Sequence, residues 1–232
     1  AGGNSPFEWN GDQAWFRGLR VHHTDVSAGG RTFRIARLQD AADLLDDPEF
    51  ARRFTEEDVA PYGVELWPSA IMLAEHILAK SHPAPRKAVE LGAGVGLGSI
   101  AAAAAGWRVV ATDNDPTALR FAAYNAAING VQIERFELLD WRRAPRSRDC
   151  SYVFAADVLY QSSDHAVLLR CIDALLAYGG TGVIVDPNRG VADPFQSIAC
   201  KAGFEVTVAA ARASWLTGEP ITGRVFTLHR VQ

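Results

Sequence analysis

Two stretches of this 232-residue chain carry residue types that can hold a polar ligand and react beside it. The first is Val89-Glu90-Leu91-Gly92-Ala93-Gly94-Val95-Gly96-Leu97-Gly98, an acid and then alternate glycines, lying between an apolar run and an alanine-rich segment. Glycine permits positive φ and a close approach of ligand to backbone. A helix beginning there offers free N–H groups and the positive end of its dipole. The second is Asp157-Val158-Leu159-Tyr160, which sets one carboxylate acceptor near one phenol. Between them stand Thr112-Asp113-Asn114-Asp115-Pro116 and Leu138-Leu139-Asp140-Trp141. Beyond them, Asp186-Pro187-Asn188-Arg189-Gly190 adds a carboxylate and a cation.

Asp113 follows Glu90 at about the separation at which an acid meets ribose hydroxyls in a nucleotide fold, and a carboxylate can accept two bonds from a cis-diol. Asp140 can accept from an adenine amino group while its N–H serves a ring nitrogen, and Trp141 can cover the ring face. Plainer accounts stand beside these: a merely tight turn, a helix cap before Pro116, a turn aspartate next to a core tryptophan. We assign the cap to Asp115, which directly precedes Pro116, and the ribose to Asp113. Glycine spacing excludes two ligand classes. The dinucleotide fingerprint needs its third glycine where Leu97 or Ser99 stands, and the phosphate loop needs a Gly-Lys-Ser/Thr that the chain lacks.

These residues must be positioned by the elements around them. Residues 1–13 are rich in Gly, Asn and Pro and are expected to be loose. Arg17 to His23 and Arg31 to Leu38 alternate apolar and polar residues around Ser27-Ala28-Gly29-Gly30, which predicts a β-hairpin. Asp40 to Phe54 is acidic and helix-prone, with Pro48 as a break or new start. Pro61-Tyr62-Gly63 is a turn. A helix then follows Trp67-Pro68 to about Lys80 and is ended by Pro83 and Pro85. From Arg86 the pattern alternates. Strands are predicted at Lys87–Leu91, Arg108–Thr112, Gln132–Leu138, Tyr152–Ala156, Gly182–Val185, Glu205–Ala210 and Val225–His229. Helices are predicted at Ser99–Ala105, Pro116–Asn129, Asp164–Ala177 and Asp193–Lys201. Such alternation implies a parallel sheet covered on both faces. The last two strands, joined by Ser214 to Gly223 alone, predict a terminal antiparallel hairpin. In open sheets of this kind the ligand lies beyond the carboxyl ends of the strands, where all five acidic stretches fall.

The stretch Val89 to Leu97, preceded by Glu65-Leu66-Trp67-Pro68 and followed by Leu139-Asp140-Trp141 and the Asp-x-x-Tyr of Asp157 to Tyr160, resembles the class I (seven-strand) S-adenosylmethionine-dependent methyltransferases. Within them it is most similar to the family 16 protein-lysine methyltransferases. The Trp67-Pro68 helix and Asp186-Pro187-Asn188-Arg189 look closest to the electron-transfer-flavoprotein β-subunit lysine methyltransferases, whose usual form has Gly at the place of Asn188. The similarity covers about residues 60–190.

The resemblance implies an α/β, three-layer Rossmann-like sheet of order 3-2-1-4-5-7-6 with strand 7 antiparallel. Residues 1–60 would then be an N-terminal hairpin-and-helix extension packed on the same domain, and 61–232 the methyltransferase domain. It implies S-adenosylmethionine as methyl donor and S-adenosylhomocysteine as product. The cofactor would be held by Trp67, Glu90, Gly92, Gly94, Gly96, Asp113, Asn114, Asp140, Trp141 and Ala156. Asp157 would hold the target amine and Tyr160 would bound its channel, with no metal and no covalent intermediate. The expected substrate is a protein lysine. A small amine or hydroxyl metabolite, methylated on N or O by the same fold, is the alternative.

Composition narrows the remaining classes. Net charge is −4, which argues against a generic nucleic-acid partner. Amino-methylating nucleic-acid enzymes place Asn/Asp-Pro-Pro-Tyr/Phe at the fourth strand end, where this chain has Asp157-Val158-Leu159-Tyr160. Cys150, Cys171 and Cys200 are odd in number and lack metal-ligand spacing, and the six histidines form no ligand pair. No Gly-x-Ser-x-Gly elbow supplies a serine nucleophile. Every apolar run is too short to span a bilayer, and no basic stretch with an apolar core opens the chain, so a cytoplasmic protein without membrane contact is expected. Arg142, Arg143, Arg146 and Arg148 form a basic run, expected to be a solvated loop, with docking of an acidic surface as the alternative.

Overall fold

The computed structural model describes residues 7–10, 13–38, 40–57, 61–79, 86–143 and 147–231. Four antiparallel strands come first, in the order β1 (Phe7–Asn10), β2 (Gln13–Phe16), β3 (Leu19–Ala28) and β4 (Arg31–Leu38). A 3-10 turn at Ala41–Asp46, capped by the Asp40 carboxylate on the Ala42 N–H, leads into α1 (Pro48–Glu57). A second 3-10 turn, Pro61–Val64, precedes α2 (Pro68–Leu78). Alternation follows: β5 (Lys87–Leu91), α3 (Leu97–Ala104), β6 (Arg108–Asp113), α4 (Pro116–Ile128), β7 (Arg135–Leu138), β8 (Cys150–Ala156), α5 (His165–Leu175), β9 (Leu176–Asp186) and α6 (Phe195–Lys201). The chain closes with β10 (Phe204–Ser214) and β11 (Pro220–Arg230).

The second sheet has seven strands in the order β10-β11-β9-β8-β5-β6-β7. Counted from β5, that is 3-2-1-4-5-7-6 from the β7 edge, with β11 antiparallel to both its neighbours and the rest parallel. Its strands are apolar on both faces because helices cover both: Ala88, Val109, Phe154 and Val183 join one buried cluster, and Val89, Val110, Val153 and Ile184 the other. No described helix is long and apolar enough to cross a membrane.

Three expectations need correction. Residues 7–10 and 13 are strand rather than loose chain, because Phe7 is buried against Phe16, Phe121 and Tyr124, its ring stacking on Tyr124 at 4.4 Å. The N-terminal hairpin is therefore half of a four-stranded sheet. The helix expected to reach Ala177 ends at Leu175, and the next residue already pairs with Cys150, so β9 is much longer than Gly182–Val185. Gly179 and Gly180 allow this: the first sits at φ +72, and a side chain on the second would meet the carbonyls of Ala177 and Cys150. The terminal loop shrinks to residues 215–219, since β10 and β11 stay in register from Phe204↔Arg230 to Ser214↔Pro220. The expected looseness of residues 1–6, 11 and 12, the end of α2 at Lys80, Pro83 and Pro85, and the role of Arg146 lie outside the described residues.

Backbone pairing by side chains joins the two sheets. An exposed strand edge would leave the outer groups of β4 unpaired. Asn125 of α4 and Asn129 at its C-cap, one turn apart, act as a surrogate strand. Asn125 accepts from the Ala36 N–H at 2.7 Å and donates to the Ala36 carbonyl at 2.9 Å. Asn129 does the same for Arg34 at 2.9 and 2.7 Å. Asn125 also donates to the Val95 carbonyl in the glycine loop at 2.8 Å, so one fully buried amide ties the N-terminal sheet to that loop.

Candidate active site

The turn after β5 is shaped by conformations that only glycine adopts cheaply. Gly92, Gly94 and Gly96 have φ of +66°, +54° and +87°. A Cβ at Gly96 would stand 2.9 Å from the Ala122 Cα of α4, and one at Gly94 would stand 3.3 Å from the Gly63 carbonyl of the 61–64 turn. At Gly92 it would press on Val158 at 3.2 Å and touch the Trp141 ring at 3.7 Å. Trp141 thus lies against the first glycine, half-buried.

Glu90, the acid of this stretch, is buried under the turn. Its Oε2 accepts from the Ser99 N–H at 2.6 Å and the Ser99 hydroxyl at 2.5 Å. It serves as the cap that Gly96 cannot provide at the start of α3. Burial pushes its carboxyl up to about 8, against the opposing bonds from Ser99. A Cβ on Gly98 would collide with Glu90 Oε1, which explains the fourth glycine.

Asp113 ends β6 and is buried. Its Oδ2 accepts from the Gly94 N–H at 2.9 Å and its Oδ1 from the Asp115 N–H at 2.9 Å. Burial raises its carboxyl to about 6, while those two N–H bonds pull it back. Asp115 caps α4 through the Thr117 N–H, as expected from Pro116, and Asn114 between the two acids is exposed. A bond from the Leu139 N–H to the Asp113 carbonyl brings the end of β7 alongside. There Asp140 holds Arg142 through Oδ1, at 3.0 Å to its N–H and 2.9 Å to Nε, and stays partly open to solvent. Among the expected basic residues, Arg142 is thus engaged beside the cleft, whereas Arg148 pairs with Asp173 of α5 at 3.1 Å.

Ala156 ends β8, and Asp157 follows in the left-handed region at φ +58, its N–H bound to the Val185 carbonyl. The side chain is 8% exposed. Its Oδ1 receives both Nε and Nη2 of Arg189, each at 2.7 Å, and its Oδ2 receives the hydroxyl of the buried Ser69 on α2 at 3.3 Å. The end of β9 braces this pair. Fully buried Asp186 accepts through Oδ1 from the Arg189 N–H at 2.9 Å and Arg224 Nε at 3.1 Å. Arg224 also bonds the Arg189 carbonyl at 2.6 Å and Asp193 at 2.8 Å. Asn188 sits at φ +65, which accounts for Gly or Asn at that place.

Tyr160, three residues beyond Asp157, belongs to an aromatic cluster. Tyr62 meets Trp67 edge-on with ring centroids 5.9 Å apart, and Tyr160 edge-on at 6.5 Å. The Trp67 indole N–H is anchored on the Tyr62 carbonyl at 2.9 Å.

The structure therefore gathers Gly92, Gly94, Asp113, Asn114, Asp140 and Trp141 at the ends of β5, β6 and β7, and Asp157, Tyr160 and Trp67 beyond β8. Glu90 stands apart beneath the turn. Ser69, Tyr62 and Arg224 escaped the sequence reading. Ser69 follows Trp67-Pro68 directly, and that is the one cue that could have found it. Arg224 comes from a strand far along the chain, with no motif to mark it.

A profile of the family described as lysine methyltransferase matches residues 48–193, a span holding every one of these residues except Arg224. The chain is 35% identical to mouse protein-lysine methyltransferase METTL21E over 127 residues, covering 49% of this chain and 52% of that protein. It thus spans about half the length of the METTL21E relatives it matches. It is 28% identical to ribosomal protein L11 methyltransferase of Pseudomonas paraeruginosa over 92% of this chain and 68% of that one. The fold matches a TehB-like SAM-dependent methyltransferase of Corynebacterium glutamicum at a TM-score of 0.54 and 18% identity, over 82% of this chain and 100% of that one. A glycine loop closed by a buried acid, a seventh strand running against its neighbours and a family profile spanning the loop and Asp157 agree, and on that agreement the chain belongs to the lysine methyltransferase family.

Proposed function

We propose that this chain transfers a methyl group from S-adenosylmethionine to a lysine side chain of a protein. The end of β8 carries the reading: the Asp157 side chain there is 8% exposed, and Tyr160 three residues on and Tyr62 edge-on to it are 44% and 54% exposed. A small metabolite would call for a lid formed by the N-terminal extension. The described strands of that extension instead pack on α4 through Phe7 and β4, its 3-10 turn at Ala41–Asp46 sits beside the 61–64 turn, and Tyr62 and Tyr160 stay exposed. We take residues 1–60 as an extension of the domain at 61–232 on the same ground.

The cradle suits the cofactor. Gly92, Gly94 and Gly96 keep side chains out of the turn, and Asp113 offers its remaining lone pairs to a ribose diol with Asn114 beside it. Asp140 and Trp141 would take the adenine, Ala156 the floor and Trp67 the methionine end. Glu90 would act at one remove, by fixing the start of α3.

A lysine ammonium has no lone pair, so it must first lose a proton to solvent. When bound, S-adenosylmethionine would supply an electrophilic methyl to that amine, with the S–C bonding pair left on the departing S-adenosylhomocysteine. Asp157 accepts an amine N–H and aims the free lone pair, and the Tyr160 ring face tolerates positive charge on nitrogen. Alignment of the amine supplies much of the rate. The free thiols of Cys150, Cys171 and Cys200 suit a reducing cytoplasm.

The test is incubation of the full chain with tritiated cofactor and cell lysate. Tritium recovered as methyl-lysine from a protein band supports the reading. Label confined to small molecules or to nucleic acid overturns it.

A further inference from the structure

We infer that Arg189 is a positioning residue that sets the proton affinity of the target amine, by offsetting the charge of the Asp157 carboxylate that receives it. The inference rests on the lysine reading above. A bare carboxylate at Asp157 would draw a lysine ammonium in, but it would also hold its proton. An opposite charge within hydrogen-bonding reach favours the charged form by about 1–3 pH units, on top of an ordinary lysine value of about 10.4. Methyl transfer near neutrality would then be starved of free amine.

The structure supplies the offset. Two N–H groups of Arg189 converge on Asp157 Oδ1 at 2.7 Å, and Oδ2 carries the Ser69 hydroxyl at 3.3 Å. Oδ2 therefore keeps acceptor capacity while the charge of the group is matched. A guanidinium stays cationic at every working pH, so the offset is constant. Nor can Arg189 drift away as a unit. Its N–H is tied to Asp186, its carbonyl to Arg224, and Asn188 before it holds a left-handed bend.

The neighbouring charges are spoken for by one another. Asp186 at the end of β9 and Asp193 before α6 share Arg224 of β11. From the other elements come the phenols of Tyr62 and Tyr160, and His165 of α5, buried with Nε2 3.4 Å from the Leu159 carbonyl. Glu65 stands in the segment leading to α2.

The experiment is single-turnover methyl transfer by the full chain from about pH 6.5 to about 10. The probe is the recombinant protein identified by the lysate labelling. Arg189→Gln should move the alkaline rise of the rate upward by about one pH unit or more, so the rate near neutrality falls about tenfold while the high-pH rate recovers. KM should not increase, because the freed carboxylate still attracts the ammonium. Arg189→Lys keeps the cation and should leave the rise in place. Asp157→Asn leaves the guanidinium unopposed and should shift the rise to lower pH on a reduced plateau. Calorimetry with S-adenosylhomocysteine verifies that each variant keeps an intact site, and Asp157→Asn carries the test if Arg189→Gln does not fold. A rate lowered by one factor at every pH, with the rise unmoved, means that Arg189 only braces the loop and sinks the inference while the lysine reading stands. No methyl-lysine from the wild-type chain ends both.

Discussion

Replacing Asp113 by alanine tests the cofactor cradle most directly. The carboxylate does two jobs in the fold: its oxygens accept the N–H groups of Gly94 and Asp115, both at 2.9 Å, in a buried setting. Each buried donor left without a partner costs roughly 1–3 kcal/mol, so the variant should lose about 2–6 kcal/mol of stability, less where water enters the gap. Bonds from a ligand diol to a charged acceptor are worth roughly 1.5–3 kcal/mol, so S-adenosylhomocysteine should bind about 10- to 150-fold more weakly. Burial has raised the Asp113 carboxyl to about 6. The ionised form is the better acceptor for ribose hydroxyls, so wild-type affinity should decline as pH falls through that value, and the alanine variant should lack this dependence. Isothermal calorimetry across about pH 5 to about 8 reads both effects, with unfolding curves run in parallel. Wild-type affinity in a folded Asp113→Ala protein would refute the ribose assignment, and a stability cost without an affinity cost would leave Asp113 as a scaffold alone.

Asp157→Asn should lower the high-pH plateau of single-turnover methyl transfer by about tenfold or more with S-adenosylhomocysteine affinity little changed, and Tyr160→Phe should be milder because the ring face survives. An Asp157→Asn enzyme as fast as wild type on its true substrate would remove the residue from the chemistry. The buried Glu90 carboxyl, raised to about 8 from an unfolded value of 4.5, stays protonated in the folded state where the unfolded chain has already ionised. Its contribution to stability is therefore full below the unfolded value and is lost by roughly 1.4 kcal/mol per pH unit as pH rises towards the folded one. Glu90→Gln should flatten that slope in denaturation curves, and identical slopes in the two proteins would contradict it. Asn125→Leu leaves the Ala36 N–H and the Ala36 and Val95 carbonyls unpaired in the core, so unfolding should become easier by about 3–5 kcal/mol, with faster hydrogen exchange along β4. A loss below about 1 kcal/mol would show that the Asn ladder does not hold the N-terminal sheet.

The alternation of elements from Lys87 onward and the antiparallel ending were legible in the chain, because apolar runs separated by helix-length segments permit few topologies, while the order of the seven strands was implied by the family resemblance. The glycine spacing foretold a backbone of positive φ at Gly92, Gly94 and Gly96, and Asp115 declared itself as a cap by preceding Pro116. These are local matters, decided by the conformational limits of single residues and by hydrophobic period. Composition misled where a side chain finds its partner far away. The polar N-terminus conceals the strand anchored by Phe7 on α4, and the glycines after Leu176 conceal a strand extension closed by Cys150. The use of each acid was likewise settled by the fold. Glu90 and Asp113 look alike in sequence, yet one lies under the turn bonded to Ser99 and the other faces the Gly94 N–H. The pairing of Asp157 with Arg189, braced by Asp186 and Arg224, needs the ends of β8 and β9 beside the body of β11, which no spacing along the chain records. Sequence by itself determined which residues stand at strand ends, since that follows from period and turn chemistry. Tertiary structure alone decided which of them meet, since a buried charge takes the partner that packing brings within reach and desolvation makes that pairing obligatory.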